Sequence, residues 1–138
     1  MPLNVPLLKS SFDLVVEREP IITVRFYEHL FENHPEVKPM FSRNKPEAQQ
    51  KMLQGALVAV LDRIEDGEWL ADTLGALGRK HVGYGVRDEM YDWVGHALLQ
   101  TLAEIAGDDW NDDLHGAWAD AFGAIRDLML AGAKTAAA

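Results

Sequence analysis

Two parts of the chain combine a chemically useful side chain with an apolar helical face. His81 follows Leu74 by seven residues and Leu77 by four, which places its imidazole on the apolar stripe of a predicted helix. Tyr27 and Gln49 lie on the inner faces of two other predicted helices. An imidazole can ligate a metal, and a phenol or a carboxamide can donate a hydrogen bond. Together the three residues suggest a buried iron porphyrin held from both sides.

Each of these residues also has an ordinary structural interpretation. A single histidine near a helix end is commonly a cap or a surface residue, and a buried tyrosine such as Tyr27 usually finds a carbonyl acceptor. Gln49 is followed by Gln50, and an error of one residue in register rotates a helical side chain by about 100°. Spacing alone therefore leaves both interpretations open.

Composition limits the classes of protein that fit. The chain has 138 residues, 48% of them hydrophobic and 25% charged, which is typical of one globular domain with a true core. No apolar run approaches the roughly 18 to 20 residues that span a bilayer, and the first residues do not resemble an export signal. We therefore expect a cytoplasmic protein.

Cysteine and charge exclude several further functions. The sequence has no cysteine, so disulfides, zinc-thiolate sites, iron–sulfur clusters and thiol catalysis are excluded. Its formal net charge of −9 repels phosphate backbones and anionic lipid surfaces. Neither nucleic acid nor a membrane is an expected partner.

Apolar residues recur at helical spacing almost everywhere, which predicts an all-α fold of six or seven helices in a single domain, 1–138. We expect helices at about 4–18, 20–33, 46–65, 68–82, 88–106 and 111–131, with a turn-rich segment at 35–41 and a connector at 83–86. Asn4 and Asn111 are predicted caps, and Pro20 is expected to open the second helix. The tail from about 132 to 138 is expected to be frayed.

Four motifs in order carry a family resemblance. They are Phe26-Tyr-Glu-His-Leu-Phe31 with the following Pro35 and Phe41, Leu77-Gly-Arg-Lys-His81, Tyr84-Gly-Val86 and Tyr91-Asp-Trp-Val-Gly95. At these spacings the chain resembles the bacterial single-domain globins, and most closely the haem domain of flavohaemoglobins, from about residue 5 to 130. The resemblance implies a three-over-three helical sandwich around haem b.

The resemblance also implies roles for individual residues. His81 matches the proximal iron ligand, and Phe41 matches the aromatic residue that packs on the porphyrin. It assigns Tyr27, Gln49 and Leu53 to the distal side of the haem, opposite the proximal histidine. The remaining pocket positions that it implies are Leu57, Leu77, Val86, Tyr91 and Val94. A gas ligand that gains partial negative charge is stabilised by phenol or amide donors in a dry pocket.

One position departs from the family pattern. Members with nitric oxide dioxygenase or peroxidase-like chemistry carry a glutamate near the end of the last helix, bonded with the proximal histidine and a tyrosine. Tyr91 matches that tyrosine, but the segment 130–134 has no acid. The N–H of His81 could instead bond a main-chain carbonyl near Leu77. Without a carboxylate the imidazole is less basic, which disfavours strong peroxidase activity.

The other histidines do not match the ligand positions of the family. We expect His29, His34, His96 and His115 to be surface or interhelical groups. No Glu-x-x-His pair on an inward face supports a non-haem metal site.

Three functions fit this pattern. The first is reversible, high-affinity binding of dioxygen and of other diatomic gases such as nitric oxide and carbon monoxide. The second is a nitric oxide dioxygenase, which would need a separate reductase because the sequence has no Gly-rich dinucleotide fingerprint. The third is a gas sensor that acts through a partner.

Overall fold

The computed structural model describes residues 3–41 and 45–137, and every regular element in these ranges is helical. Six α-helices and two 3₁₀ segments follow one another: α1 Val5–Arg18, α2 Thr23–Asn33, the 3₁₀ segment Pro35–Phe41, α3 Pro46–Asp62, α4 Gly67–Gly83, α5 Asp88–Ala106, the 3₁₀ segment Gly107–Asp109 and α6 Asp112–Ala137. The all-α prediction is confirmed. None of the helices in the described ranges is long and apolar enough to cross a membrane.

Side chains cap three of the helices, and the sequence predicted two of these caps. The Asn4 side chain accepts a hydrogen bond from the Leu7 amide, 3.3 Å away. Asn111 does the same for α6, where the Leu114 amide lies 2.9 Å from its Oδ1. Asp66 caps α4, the helix that carries His81. Each cap satisfies an amide that has no partner within its own helix.

The second helix begins later than predicted. It starts at Thr23 rather than at Pro20. The carbonyl of Pro20 instead accepts a hydrogen bond from Gln54 Nε2, 3.2 Å away on α3, and Ile22 is fully buried. Tertiary contacts therefore hold residues 20–22 outside the helix.

The C-terminal tail also differs from the prediction. Helix α6 continues to Ala137 where a frayed tail was expected from about residue 132, and Ala138 lies outside the described residues. Gly132 packs against Gly75 of α4, and the segment is rich in alanine, the best helix former. This packing extends the helix past the predicted end.

The core consists of two separate apolar clusters. The larger, which we call the distal cluster, contains Tyr27, Phe26 and Leu30 of α2 together with buried residues of α1, α5 and α6. The smaller, the proximal cluster, joins α4 to α6 through Leu74 and Met129. Helix α3 packs mainly on α2, whereas α4 packs mainly on α6.

Candidate functional site

His81 lies in the last turn of α4 and is held by its own helix. Its Nδ1 is 2.6 Å from the carbonyl oxygen of Leu77, the type of bond that the sequence suggested. Because a carbonyl oxygen can only accept, Nδ1 carries a proton, and in the neutral ring the lone pair is therefore on Nε2. This tautomer is the one that ligates a metal through Nε2, and the carbonyl bond fixes the orientation of the ring.

Two tyrosines flank the His81 ring. The ring centroid of Tyr84 lies 5.7 Å from that of His81, and the ring centroid of Tyr91 lies 6.4 Å from it. Tyr91 is buried in the proximal cluster, and its pKa is raised by burial and then by the negative charge of Asp88. The phenol of Tyr91 is therefore neutral at physiological pH.

A glycine crossing between α4 and α6 sets the position of the His81 helix. A Cβ atom on Gly78 would lie 1.9 Å from the carbonyl oxygen of Met129, and one on Gly132 would lie 2.0 Å from that of Gly75. Both clashes are with backbone, which cannot rotate away. Only glycine at positions 78 and 132 allows the two backbones to approach this closely.

We expect Gly78→Ala to lower the free energy of unfolding by about 1 to 3 kcal/mol, the usual cost of overpacking a core. Gly75→Ala is the matched control in the same helix, because its Cβ would meet only Arg79 at 3.8 Å and Gly132 at 3.9 Å. There the better helix propensity of alanine should leave stability unchanged or raised by up to about 1 kcal/mol. Denaturant unfolding of both variants measures the difference, and equal stabilities would contradict the backbone contact.

On the other side of the fold, Tyr27 and Gln49 form a hydrogen-bonded pair. The Nε2 of Gln49 donates to the Tyr27 hydroxyl over 3.1 Å. It is the side chain of Gln49, not that of Gln50, that forms this bond. Burial raises the pKa of Tyr27, and the Gln49 bond lowers it by a smaller amount. The net effect keeps the phenol protonated, so its O–H remains a donor.

The Tyr27 ring packs with those of Phe31 and Phe41. The ring centroid of Tyr27 lies 5.6 Å from Phe31 and 5.4 Å from Phe41, and those two phenylalanines are 5.5 Å apart. Phe41 was expected near the site from its sequence. Phe31 was not, although its position one helical turn after Tyr27 was a usable signal.

The aromatic rings border an open cleft of about 540 Å³. It is lined by Tyr27, Phe31, Pro35, Lys38, Pro39, Phe41, Pro46, Gln49 and Gln50. Leu53, Leu57 and Val94 are half-buried and pack against the distal cluster. The sequence indicated Pro35 only as part of a motif, and nothing local distinguishes Lys38, Pro39 and Pro46 from other loop or helix-start residues.

The residues assigned from sequence divide between the two clusters. Tyr27, Phe41, Leu53, Leu57 and Val94 belong to the distal cluster. Leu77, Val86 and Tyr91 belong to the proximal cluster.

Large apolar side chains are also exposed on α3 and just beyond the end of α4. Met52 of α3 is 55% exposed, and Tyr84, just beyond α4, is 51% exposed. Met52 and Tyr84 therefore leave apolar surface that a ligand could cover. The chemistry of the site residues, an Nε2 lone pair on one side and a phenol–amide pair on the other, fits an iron porphyrin.

Two of the remaining histidines lie beside carboxylates, His29 across helices and His34 within its own segment. His29 Nε2 lies 3.0 Å from Glu104, and His34 Nδ1 lies 3.4 Å from Glu36. Across the described residues, no group of three or more His, Asp or Glu side chains could hold a metal ion. None of the hydrogen bonds and ion pairs of the described residues joins His81 to a carboxylate.

Comparison with known proteins defines the class. The globin family model matches residues 24–129, most of the chain. The chain therefore belongs to the globin family, whose membership implies haem binding. The globin fold predicted from the sequence is confirmed.

Two curated relatives and one solved structure illustrate the similarity. The chain is 33% identical over 126 residues to a flavohemoprotein of Chromobacterium violaceum, covering 90% of this chain and 31% of that protein. It is 34% identical to a flavohemoprotein of Rhizobium meliloti, covering 89% of this chain and 31% of that protein. It thus spans about a third of the length of these relatives. A bacterial globin from Campylobacter jejuni superimposes with a TM-score of 0.81 at 27% identity, covering 95% of this chain and 94% of that one.

Proposed function

We propose that this globin binds haem b through His81 and reversibly binds dioxygen with high affinity. The observation that carries the proposal is the hydrogen bond from half-buried Gln49 to buried Tyr27 of the distal cluster, together with the oriented His81 ring beside Tyr91 of the proximal cluster. His81 would hold the haem iron, and the bound group would supply a metal centre able to bind a diatomic gas.

The distal residues stabilise and protect the gas. The Tyr27 hydroxyl is a donor because burial keeps it protonated, and Gln49 orients it through their mutual bond. Donors of this kind stabilise developing negative charge most strongly where water is excluded. Phe41, Leu53, Leu57 and Val94 supply apolar surface that excludes water, which slows loss of the bound gas and oxidation of the iron.

The proximal side favours binding over bond cleavage. The Nδ1–H of His81 donates to a neutral carbonyl, and the last acid of α6 in the described residues, Asp127, is exposed and paired with Arg126. A neutral acceptor makes the imidazole a weaker electron donor than a carboxylate would. We therefore propose a protein that holds dioxygen rather than one that splits it.

Oxygen equilibrium and release measurements on the haem-loaded, reduced protein test this function. The expected result is saturable, reversible oxygenation at one gas per chain with slow release. Rapid, irreversible oxidation of the iron on contact with air, with no oxygenated form, would contradict it.

A nitric oxide dioxygenase is the second candidate. It is favoured by the similarity to flavohemoproteins, of which this chain matches about a third. In this case each turnover would need electrons from a reductase. Steady-state consumption of nitric oxide in the presence of oxygen and a reductase would support the enzyme, whereas consumption that stops after one turnover would argue against it.

A further inference from the structure

Two hydrogen bonds join one face of α2 to consecutive residues of α3. Thr23 and Tyr27 are one turn apart and share that face. The Thr23 hydroxyl donates to the carbonyl oxygen of Gln50 over 2.8 Å, and Gln49 donates to the Tyr27 hydroxyl. The threonine bond therefore fixes the backbone one residue from the distal glutamine.

The start of α3 is not fixed by a side-chain cap. The N-cap residue, Lys45, makes no side-chain hydrogen bond to the helix, and Pro46 opens the first turn. Glu47 and Ala48 are exposed, so the first turn does not pack into the core. The bonds to α2 therefore help to position this turn.

Thr23 is a fully buried polar residue at the start of α2. Its exposed fraction is 0%, and it is the first residue of α2, whose own N-cap, Ile22, makes no side-chain bond. A buried hydroxyl is costly unless it is paired, and its pairing fixes both partners. The Gln50 carbonyl is the acceptor that pairs it here.

We propose that Thr23 is a positioning residue, which holds the first turn of α3 so that the Gln49 side chain reaches the Tyr27 hydroxyl. The effect on the Gln49–Tyr27 bond follows from geometry alone. The effect on gas release rests, in addition, on the proposed oxygen-binding function.

A second threonine provides a matched control. Thr101 also has an exposed fraction of 0%, and its hydroxyl donates over 2.8 Å, but to the Ala97 carbonyl within its own helix. Valine at either position keeps the shape of the side chain and removes the hydroxyl. Only the Thr23 substitution removes a bond between helices.

The first measurement needs no haem. In the full chain, the side-chain amide signals of Gln49 are followed by NMR and assigned by their loss in Gln49→Leu. Thr23→Val should move them towards the values of a solvent-exposed glutamine, whereas Thr23→Ser and Thr101→Val should leave them in place. If Thr23→Val is unfolded, Thr23→Ala makes the same test without crowding. Unchanged Gln49 signals in a folded Thr23 variant without the hydroxyl would overturn the proposal.

The second measurement uses haem-loaded protein. Thr23→Val should release oxygen about 3- to 10-fold faster, the range for one weakened neutral hydrogen bond, and shift the C–O stretching frequency of added carbon monoxide. Thr23→Ser should restore both values, and Thr101→Val should match the unmodified chain. Equal changes in the two valine variants would show a general stability effect and overturn the positioning role. Failure of every form to bind oxygen would contradict the proposed function only, because the NMR result still decides the role of Thr23.

Discussion

Replacing His81 with alanine should weaken haem binding by more than about 100-fold. Loss of a partner behind a metal ligand costs about 10- to 100-fold in affinity, and loss of the ligand itself should cost more. His96, which is exposed on α5, provides the control: His96→Ala should bind haem like the unmodified chain. Competition for haem with a second haem-binding protein measures the affinities.

Rescue with free imidazole distinguishes the loss of an iron ligand from a loss of folding in the His81 variants. The variant His81→Gly also removes the Cβ atom and leaves more space than His81→Ala. Free imidazole added to the solution should therefore restore the absorption spectrum of a histidine-ligated iron. An identical haem spectrum and affinity in the His81→Ala protein would show that another residue is the ligand. The proposed pocket would then be wrong on its proximal side.

Replacing Tyr27 with phenylalanine should speed oxygen release by about 10-fold or more. The change removes the hydroxyl and keeps the ring that packs on Phe31 and Phe41. A hydrogen bond to a charged group contributes about 1.5 to 3 kcal/mol, and each 1.4 kcal/mol corresponds to about tenfold in rate or affinity. Stopped-flow displacement of oxygen by carbon monoxide measures the release rate.

The bond between Tyr27 and Gln49 allows a double-variant test of whether the two residues act together on oxygen release. Because the two side chains contact each other over 3.1 Å, the effects of Tyr27→Phe and Gln49→Leu should not add in the double variant. Additive effects would show that the two residues act independently. A release rate unchanged by Tyr27→Phe would remove Tyr27 from the mechanism.

The sequence could predict those parts of the site that depend on helical periodicity. The bond between His81 and the Leu77 carbonyl joins residues four apart, so it needs only a helix. The inward position of Tyr27 follows from its apolar stripe. Asn4 and Asn111 were predictable as caps because a cap acts within one turn.

What the sequence could not predict depends on contacts between distant segments. In the sequence, Gly78 is only a poor helix former, and its close contact with the Met129 backbone is seen only in the folded structure. Thr23 looks like an ordinary first-turn residue until the Gln50 carbonyl lies beside it. The predicted start of α2 at Pro20 was wrong for the same reason. The preference of proline for a first helical turn was overridden by the burial of Ile22. Helical patterns fix which face of an element is buried, but not which backbone it meets.

The most direct test of the central claim is a haem titration of the full chain, followed by absorption spectra of the ferric, ferrous and oxygenated forms. We predict saturation at one haem per chain, a strong Soret band, and a reversible spectral change when oxygen is added to and removed from the reduced protein. In the His81→Ala variant that reversible change should be lost. A titration with no saturable Soret band, or an oxygenated spectrum that is the same in the His81→Ala variant, would contradict the account.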